Sequence, residues 1–232
     1  MSAQIPADKL KGYVIDLRNN PGGSFDAAVA TADAFIDKGD IVVVKGRKPD
    51  SIRRIGATPG DLAQGIPIVA LVNGGTAREA ELVAGALQDN RRAVLLGSQT
   101  FGESSIETLI PLPGNGAIRL TTARFMTPTG RQIQGKGLDP DLRVMPLKLE
   151  KLAQGDRLRE ADLKGALKNT DPIGPGGKPA SSASPGIAAV SGEVQNVTSV
   201  ATGDIGSPND EQLTEAVDIL RGLAVFNPHA AG

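Results

Sequence analysis

Ile66-Pro-Ile-Val-Ala-Leu-Val72, running on into Asn73-Gly-Gly-Thr-Ala-Arg-Glu-Ala-Glu-Leu-Val-Ala84, is the stretch on which the fold depends. Its first seven residues are apolar on every side, as a strand buried on both faces of a sheet requires. Asn73-Gly74-Gly75 is turn chemistry. From Ala77 to Asp89 the apolar positions Ala80, Val83, Ala84 and Leu87 recur at helical spacing, and Arg91-Arg92 beyond them suit the negative pole of a helix dipole. A buried strand turning sharply into a helix is where a nucleophile is commonly presented. Here the helix opens on Arg78, and a second loop, Thr100-Phe-Gly-Glu-Ser-Ser-Ile-Glu107, offers carboxylates where a base would be wanted.

The same alternation extends to both sides. Gly12–Leu17 is a short apolar run closed by the turn Asn19-Asn20-Pro21-Gly22-Gly23, and Phe25, Ala28, Val29, Ala32, Phe35 and Ile36 predict a helix that Gly39 stops. Ile41–Val44 and Ala93–Leu96 read as strands. Ile106–Ile110 and Ala117–Phe125 flank the turn Pro113-Gly114-Asn115-Gly116 and predict a hairpin. Strand, helix, strand, helix, strand predicts an α/β layer fold over residues 1–150. A short polar helix is expected within 151–170. Residues 171–208, rich in Pro, Gly, Ser, Ala and Thr, have the composition of a flexible, disordered linker. Within 209–226, Asn209 or Asp210 can cap a C-terminal amphipathic helix with Leu213, Ala216, Val217 and Leu220 along one side. That helix must dock on something, its own domain or a partner.

Composition excludes several classes. Lys and Arg number 25 against 26 Asp and Glu, so the net charge of −1 provides no general field toward nucleic acid or an anionic membrane. With no Cys and His229 alone, thiolate chemistry and disulfides are out, and zinc lacks its preferred ligands; no cofactor or metal is expected. No run approaches the ~20 apolar residues of a membrane span. The start, Met1-Ser-Ala-Gln-Ile-Pro6, lacks the basic-then-apolar pattern of an export signal.

The motifs together support a family resemblance. Asp16-Leu-Arg-Asn-Asn-Pro-Gly-Gly23, the Asn73-Gly-Gly-Thr-Ala turn with Glu81–Asp89, Thr100-Phe-Gly102, Leu120-Thr-Thr-Ala-Arg124, and Thr127–Gly137 with Asp139-Pro-Asp141 resemble, in order and spacing from about Gly12 to Val144, the carboxyl-terminal processing peptidases, the tail-specific serine proteases. The resemblance implies a ClpP/crotonase-like peptidase core, a layered sheet with packed helices, and protein or peptide C-terminal tails as partners. It leaves the oligomer unknown. It also implies proteins exported to the periplasm or lumen and a PDZ domain ahead of the core. Neither that domain nor a signal is found in this sequence, which suggests a truncated copy, cytoplasmic unless an upstream segment exists.

The family's chemistry is a Ser-Lys dyad assisted by Gln. By resemblance the nucleophile position is Arg78, the base position Glu103 and the orienting position Glu107, so all three are substituted. Guanidinium is no nucleophile at ordinary pH, and a carboxylate does not recreate an amine base. Arg78, Glu103 and Glu107 are expected to approach one another as an arginine–carboxylate pair that closes the cleft. The oxyanion cradle would come from the backbone N–H groups of Gly22 or Gly23 and of Glu79. Other hydroxyls have blander roles: Thr76 in the turn, Ser24 as a helix cap, Ser104 and Ser105 as loop hydrogen-bonders. Asp16 and Asp26 read as structural acids, Glu79 and Glu81 as acids favouring the helix dipole. A peptide- or partner-binding member without hydrolysis is the leading expectation. An active serine-type endopeptidase with a displaced nucleophile and a crotonase-like acyl-binding protein are the alternatives.

Overall fold

The computed structural model describes residues 5–6, 9–48, 50–114, 116–145, 165, 205–207 and 210–226. Through them the chain runs β1 (Tyr13–Asp16), α1 (Phe25–Asp33), β2 (Asp40–Gly46), β3 (Ile52–Gly56), β4 (Ile68–Val72), α2 (Glu79–Asp89), β5 (Ala93–Gly97), β6 (Ser105–Leu112), β7 (Gly116–Met126), β8 (Leu142–Arg143) and α3 (Glu211–Phe226). The alternation is that of the α/β class. His229 and, apart from residues 205–207, the stretch expected to be a linker lie outside the described residues, as does the expected helix at Gly155–Lys168 apart from Gly165.

A parallel sheet in the order β1-β4-β5-β8 forms the centre. Side chains alternate across a strand, and β4 uses both faces. Ile68, Ala70 and Val72 join Ala28 and Ala32 of α1 and Val83, Ala84 and Leu87 of α2 in the larger core. Val69 and Leu71 point the other way and meet Ala216 and Leu220 of α3, with Leu96 of β5 beside them. The C-terminal helix therefore returns to its own domain and covers the face that α1 and α2 leave open. This burial on both sides is why the strand carries no polar residue.

A charged clamp fixes that return. Asp210 caps α3 by accepting from the Leu213 N–H at 3.1 Å. The same carboxylate takes both Nη groups of Arg18, at 2.8 and 2.7 Å, while Asp16 accepts from Nε at 2.9 Å and Nη2 at 2.6 Å. Burial lowers the guanidinium's pKa, but its bonds to Asp210 and Asp16 outweigh this and the net shift is upward.

The second sheet, in the order β3-β2-β7-β6, is antiparallel throughout. Its β6–β7 hairpin holds Leu109, Ile110, Ile118 and Leu120 exposed. The strand β3 was not anticipated: Ile52-Arg-Arg-Ile-Gly56 is a mostly exposed edge whose apolar signal is weak. The first helix is also shorter than its periodicity suggested. After Asp33 the Phe35 and Ile36 N–H groups bond three residues back, to Ala32 and Asp33, and the tighter turn still buries Ile36. Among the described residues no helix is long and apolar enough to cross a membrane.

Candidate active site

Two turns meet at the C-terminal ends of β1 and β4. Asn73 Oδ1 accepts from the N–H groups of Asn19 and Gly75, both at 2.9 Å, and its Nδ2 donates to Asn19 Oδ1 at 2.9 Å. Thr76, fully buried, donates through Oγ1 to the Leu17 carbonyl at 2.7 Å and accepts from the Asn73 N–H at 3.0 Å. The Ala77 N–H reaches the Asn20 carbonyl, and the Thr76 carbonyl accepts from Phe101 N–H. Two segments distant in sequence are thus tied to one turn. Thr76 is a turn residue, as expected, and Ser24 caps α1 by accepting from the Ala27 N–H.

That network holds Arg78 at φ 54° and ψ −121°. Few non-glycine residues adopt positive φ, and such strain persists only where surrounding contacts impose it. The backbone keeps the sharp strand-to-helix elbow on which a nucleophile would be raised. The side chain is a guanidinium, 36% exposed.

Carboxylates surround it unevenly. Arg78 Nε is 3.5 Å from Glu103 Oε1 and 3.9 Å from Glu79 Oε2, and it makes no hydrogen bond although the atom is buried. The expected pairing with Glu103 is therefore present as a loose ion pair. Glu107 does not join. Its carboxylate lies 3.4 Å from Arg119 Nη1 on the hairpin. The cause is a bulge: Ile106 pairs with Ala123 but Glu107 with Thr121, so Thr122 is the extra residue and Glu107 falls diagonal to Arg119 on one face.

Of the three backbone N–H groups expected to form an oxyanion cradle, those of Gly22 and Gly23 donate within the protein. Gly22 N–H is bonded to Asn20 Oδ1 at 3.0 Å. Gly23 N–H donates to Glu79 Oε2 at 3.1 Å, so an internal carboxylate occupies that donor. Gly22 packs so closely here that a Cβ on it would lie 2.4 Å from Glu79 Oε2 and 2.9 Å from Glu79 N, and its φ of +96° favours glycine as well.

Glu81 is the residue whose role sequence reasoning undervalued. It is completely buried, and its carboxylate accepts from Arg78 N at 3.1 Å, Gly102 N at 2.9 Å, Glu103 N at 2.9 Å and the Thr100 hydroxyl. It ties the elbow to the Thr100–Glu107 loop and thereby sets Arg78 and Glu103 side by side. Burial raises its carboxyl pKa to about 7 against these four stabilising bonds. Its place as the third residue of α2, bonding back to the N-terminal N–H, is the half of a capping box the sequence pattern could have revealed. Ser104 N–H donates to Gln134 Oε1 at 2.8 Å and Ser105 Oγ reaches Glu103 Oε1 at 3.5 Å; both are loop hydrogen-bonders, as expected.

Residues 1–144 match the model of peptidase family S41. A carboxy-terminal-processing protease of Bartonella bacilliformis is 50% identical over 169 residues, which cover 72% of this chain and 39% of that protein. The chloroplastic C-terminal processing peptidase of Tetradesmus obliquus is 39% identical over 144 residues, 62% of this chain and 31% of that one. A solved photosystem II D1 C-terminal processing protease superposes with a TM-score of 0.55 at 38% identity, covering 58% of this chain and 34% of that structure. The chain thus spans about a third of the length of these relatives. With the strained elbow and its surrounding turns in place, the chain belongs to peptidase family S41.

Proposed function

We propose that this chain is a peptide-binding member of the S41 peptidases in which the hydrolytic step is lost. Arg78, Glu103 and Glu107 stand at the nucleophile, base and orienting positions, and the observation that carries the reading is the elbow itself. Its strained residue presents a guanidinium 3.5 Å from a carboxylate, where this hydrolysis calls for a hydroxyl and an amine. Acyl transfer needs a nucleophile whose proton a neighbouring base removes, and a hole of donors for the developing oxyanion. Arg78 supplies no removable proton at neutral pH. The Gly23 donor is already satisfied by Glu79. Glu79, which sequence reading treated as a dipole acid, stands in for the oxyanion itself.

Retention of the turn network without its chemistry favours binding as the surviving role, and the C-terminal tails of proteins are the partner class the relatives' names indicate. The test restores the three positions together, Arg78→Ser, Glu103→Lys and Glu107→Gln, with and without Glu79→Ala to free the Gly23 N–H. Cleavage of an unfolded reporter protein is expected from the restored variant alone. Cleavage by the unaltered chain, abolished by changing Thr76, Ser104 or Ser105, would overturn the proposal.

A further inference from the structure

The strand β6 lies at the edge of its sheet and pairs with β7 alone. From Glu107 to Leu112 and from Gly116 to Thr122 every residue is exposed, and none belongs to either hydrophobic core. The hairpin is thus an arm with solvent on both faces. A two-stranded hairpin by itself is marginally stable at best in water, and a further strand or a covered apolar face is what makes one hold. The register decides what each face offers, because side chains alternate along a strand. Thr108 pairs with Leu120, Ile110 with Ile118 and Leu112 with Gly116, so Thr108, Ile110, Leu112, Ile118 and Leu120 share one face. Its four aliphatic side chains are 42–44% exposed. Its one polar group, the Thr108 hydroxyl, is bonded to the Thr122 hydroxyl at 2.8 Å. The other face carries Leu109 with both charged residues of the arm, Glu107 and Arg119, 3.4 Å apart.

We propose that this apolar face is covered by the same face of a second copy of the chain, hairpin on hairpin about a two-fold axis. A two-fold contact sets a surface against itself, so a charge on that surface would meet its own like. This face carries none. Glu107 and Arg119 stay on the outer side, where they neutralise each other. The chain's net charge of −1 adds no general repulsion to hold two copies apart. Size sets the strength. Four partly exposed aliphatic side chains amount to roughly 300 Å² per copy, about the largest apolar patch of an ordinary monomer, and fall short of the about 800 Å² that each partner gives to a standard interface. The dimer is therefore a weak one, in equilibrium with monomer. It makes no use of the elbow, so it stands or falls apart from peptide binding.

The experiment is sedimentation velocity of the whole chain from about 1 to about 500 μM, a range that spans weak interfaces. The expected result is a shift from monomer to dimer as concentration rises. Ile110→Lys and Leu120→Lys each set a charge against its own copy and should weaken association about tenfold or more. Leu109→Lys should leave it within about twofold. Leu109 is the deciding control: at 64% it is the most exposed aliphatic residue of the arm, yet it lies on the charged face. Association by general stickiness would respond to Leu109 most. A second measurement does not depend on the lysine variants folding. The chain has no Cys, so Ile118→Cys and Leu109→Cys each carry a single thiol. A short bismaleimide should join two copies through the first and not through the second. A chain that stays monomeric throughout overturns the proposal. So does a dimer that Leu109→Lys weakens as much as Ile110→Lys, and so does equal cross-linking of the two Cys variants.

Discussion

Two arginines, each between two carboxylates, behave in opposite ways. Arg18 has a side chain with no exposure, and its guanidinium reaches Asp16 and Asp210 at 2.6 to 2.9 Å. Arg78 is 36% exposed, at 3.5 and 3.9 Å from Glu103 and Glu79, and leaves its buried Nε without a hydrogen bond. The first joins elements 192 residues apart and is saturated. The second stands at the elbow that the turn network would hold whatever side chain it carried. Charge composition alone does not distinguish a structural clamp from a loosely held pair at a turn; bond saturation and burial do.

The clamp should break most expensively. Arg18→Ala leaves Asp210, 1% exposed at its side chain, as a buried charge without its partner. Removing one member of a buried pair costs about 3–5 kcal/mol, expected as a lower urea midpoint. Hydrogen exchange should show α3 losing protection before the central sheet, since Ala216 and Leu220 are held over Val69 and Leu71 through this contact. Loss of stability spread evenly, with α3 as protected as before, would deny the clamp its role in docking.

The next effect belongs to Glu81, beneath the elbow. Its folded pKa of about 7 lies above the ordinary 4.5. Between those values the native state holds a proton that the unfolded chain has released, so stability falls as pH rises through this window, by up to about 1.4 kcal/mol per pH unit for one proton. Asp61, Asp89 and Asp210 act in another range. Burial opposes their ionisation, but hydrogen bonds and neighbouring guanidinium groups outweigh it and lower their pKa values, so their stabilisation is lost only as pH falls below the ordinary carboxylate range. Urea unfolding at pH 5, 6 and 7 should therefore slope downward in the unaltered chain and lie flatter in Glu81→Gln.

The sequence made the layers legible because burial enforces periodicity: β4 is apolar at every position since both its faces are covered, and α2 shows its stripe. It concealed what depends on pairing at a distance. Nothing near Arg18 announces Asp210, and nothing in Ser105–Leu112 announces the bulge that turns Glu107 to Arg119. At the candidate site, the meeting of Arg78 with Glu103 followed from family spacing. The occupation of Gly23 by Glu79 and the joining role of Glu81 required the fold, because acids in a first helical turn are already accounted for by the dipole.

The smallest effects sharpen the comparison from the other side. Arg78→Gly relieves positive φ at the elbow and removes a half-exposed charge, so stability should rise by about 0.5–1 kcal/mol, where the same loss of charge at Arg18 is ruinous. A double-mutant cycle between Arg78→Ala and Glu103→Ala should give a coupling of at most about 1 kcal/mol, as exposed ion pairs do, and the coupling should shrink with salt. At 3.5 Å without a hydrogen bond, the pair has neither the geometry nor the dryness for more. A coupling as large as a buried pair's would mean that Arg78 clamps the elbow as Arg18 clamps the helix.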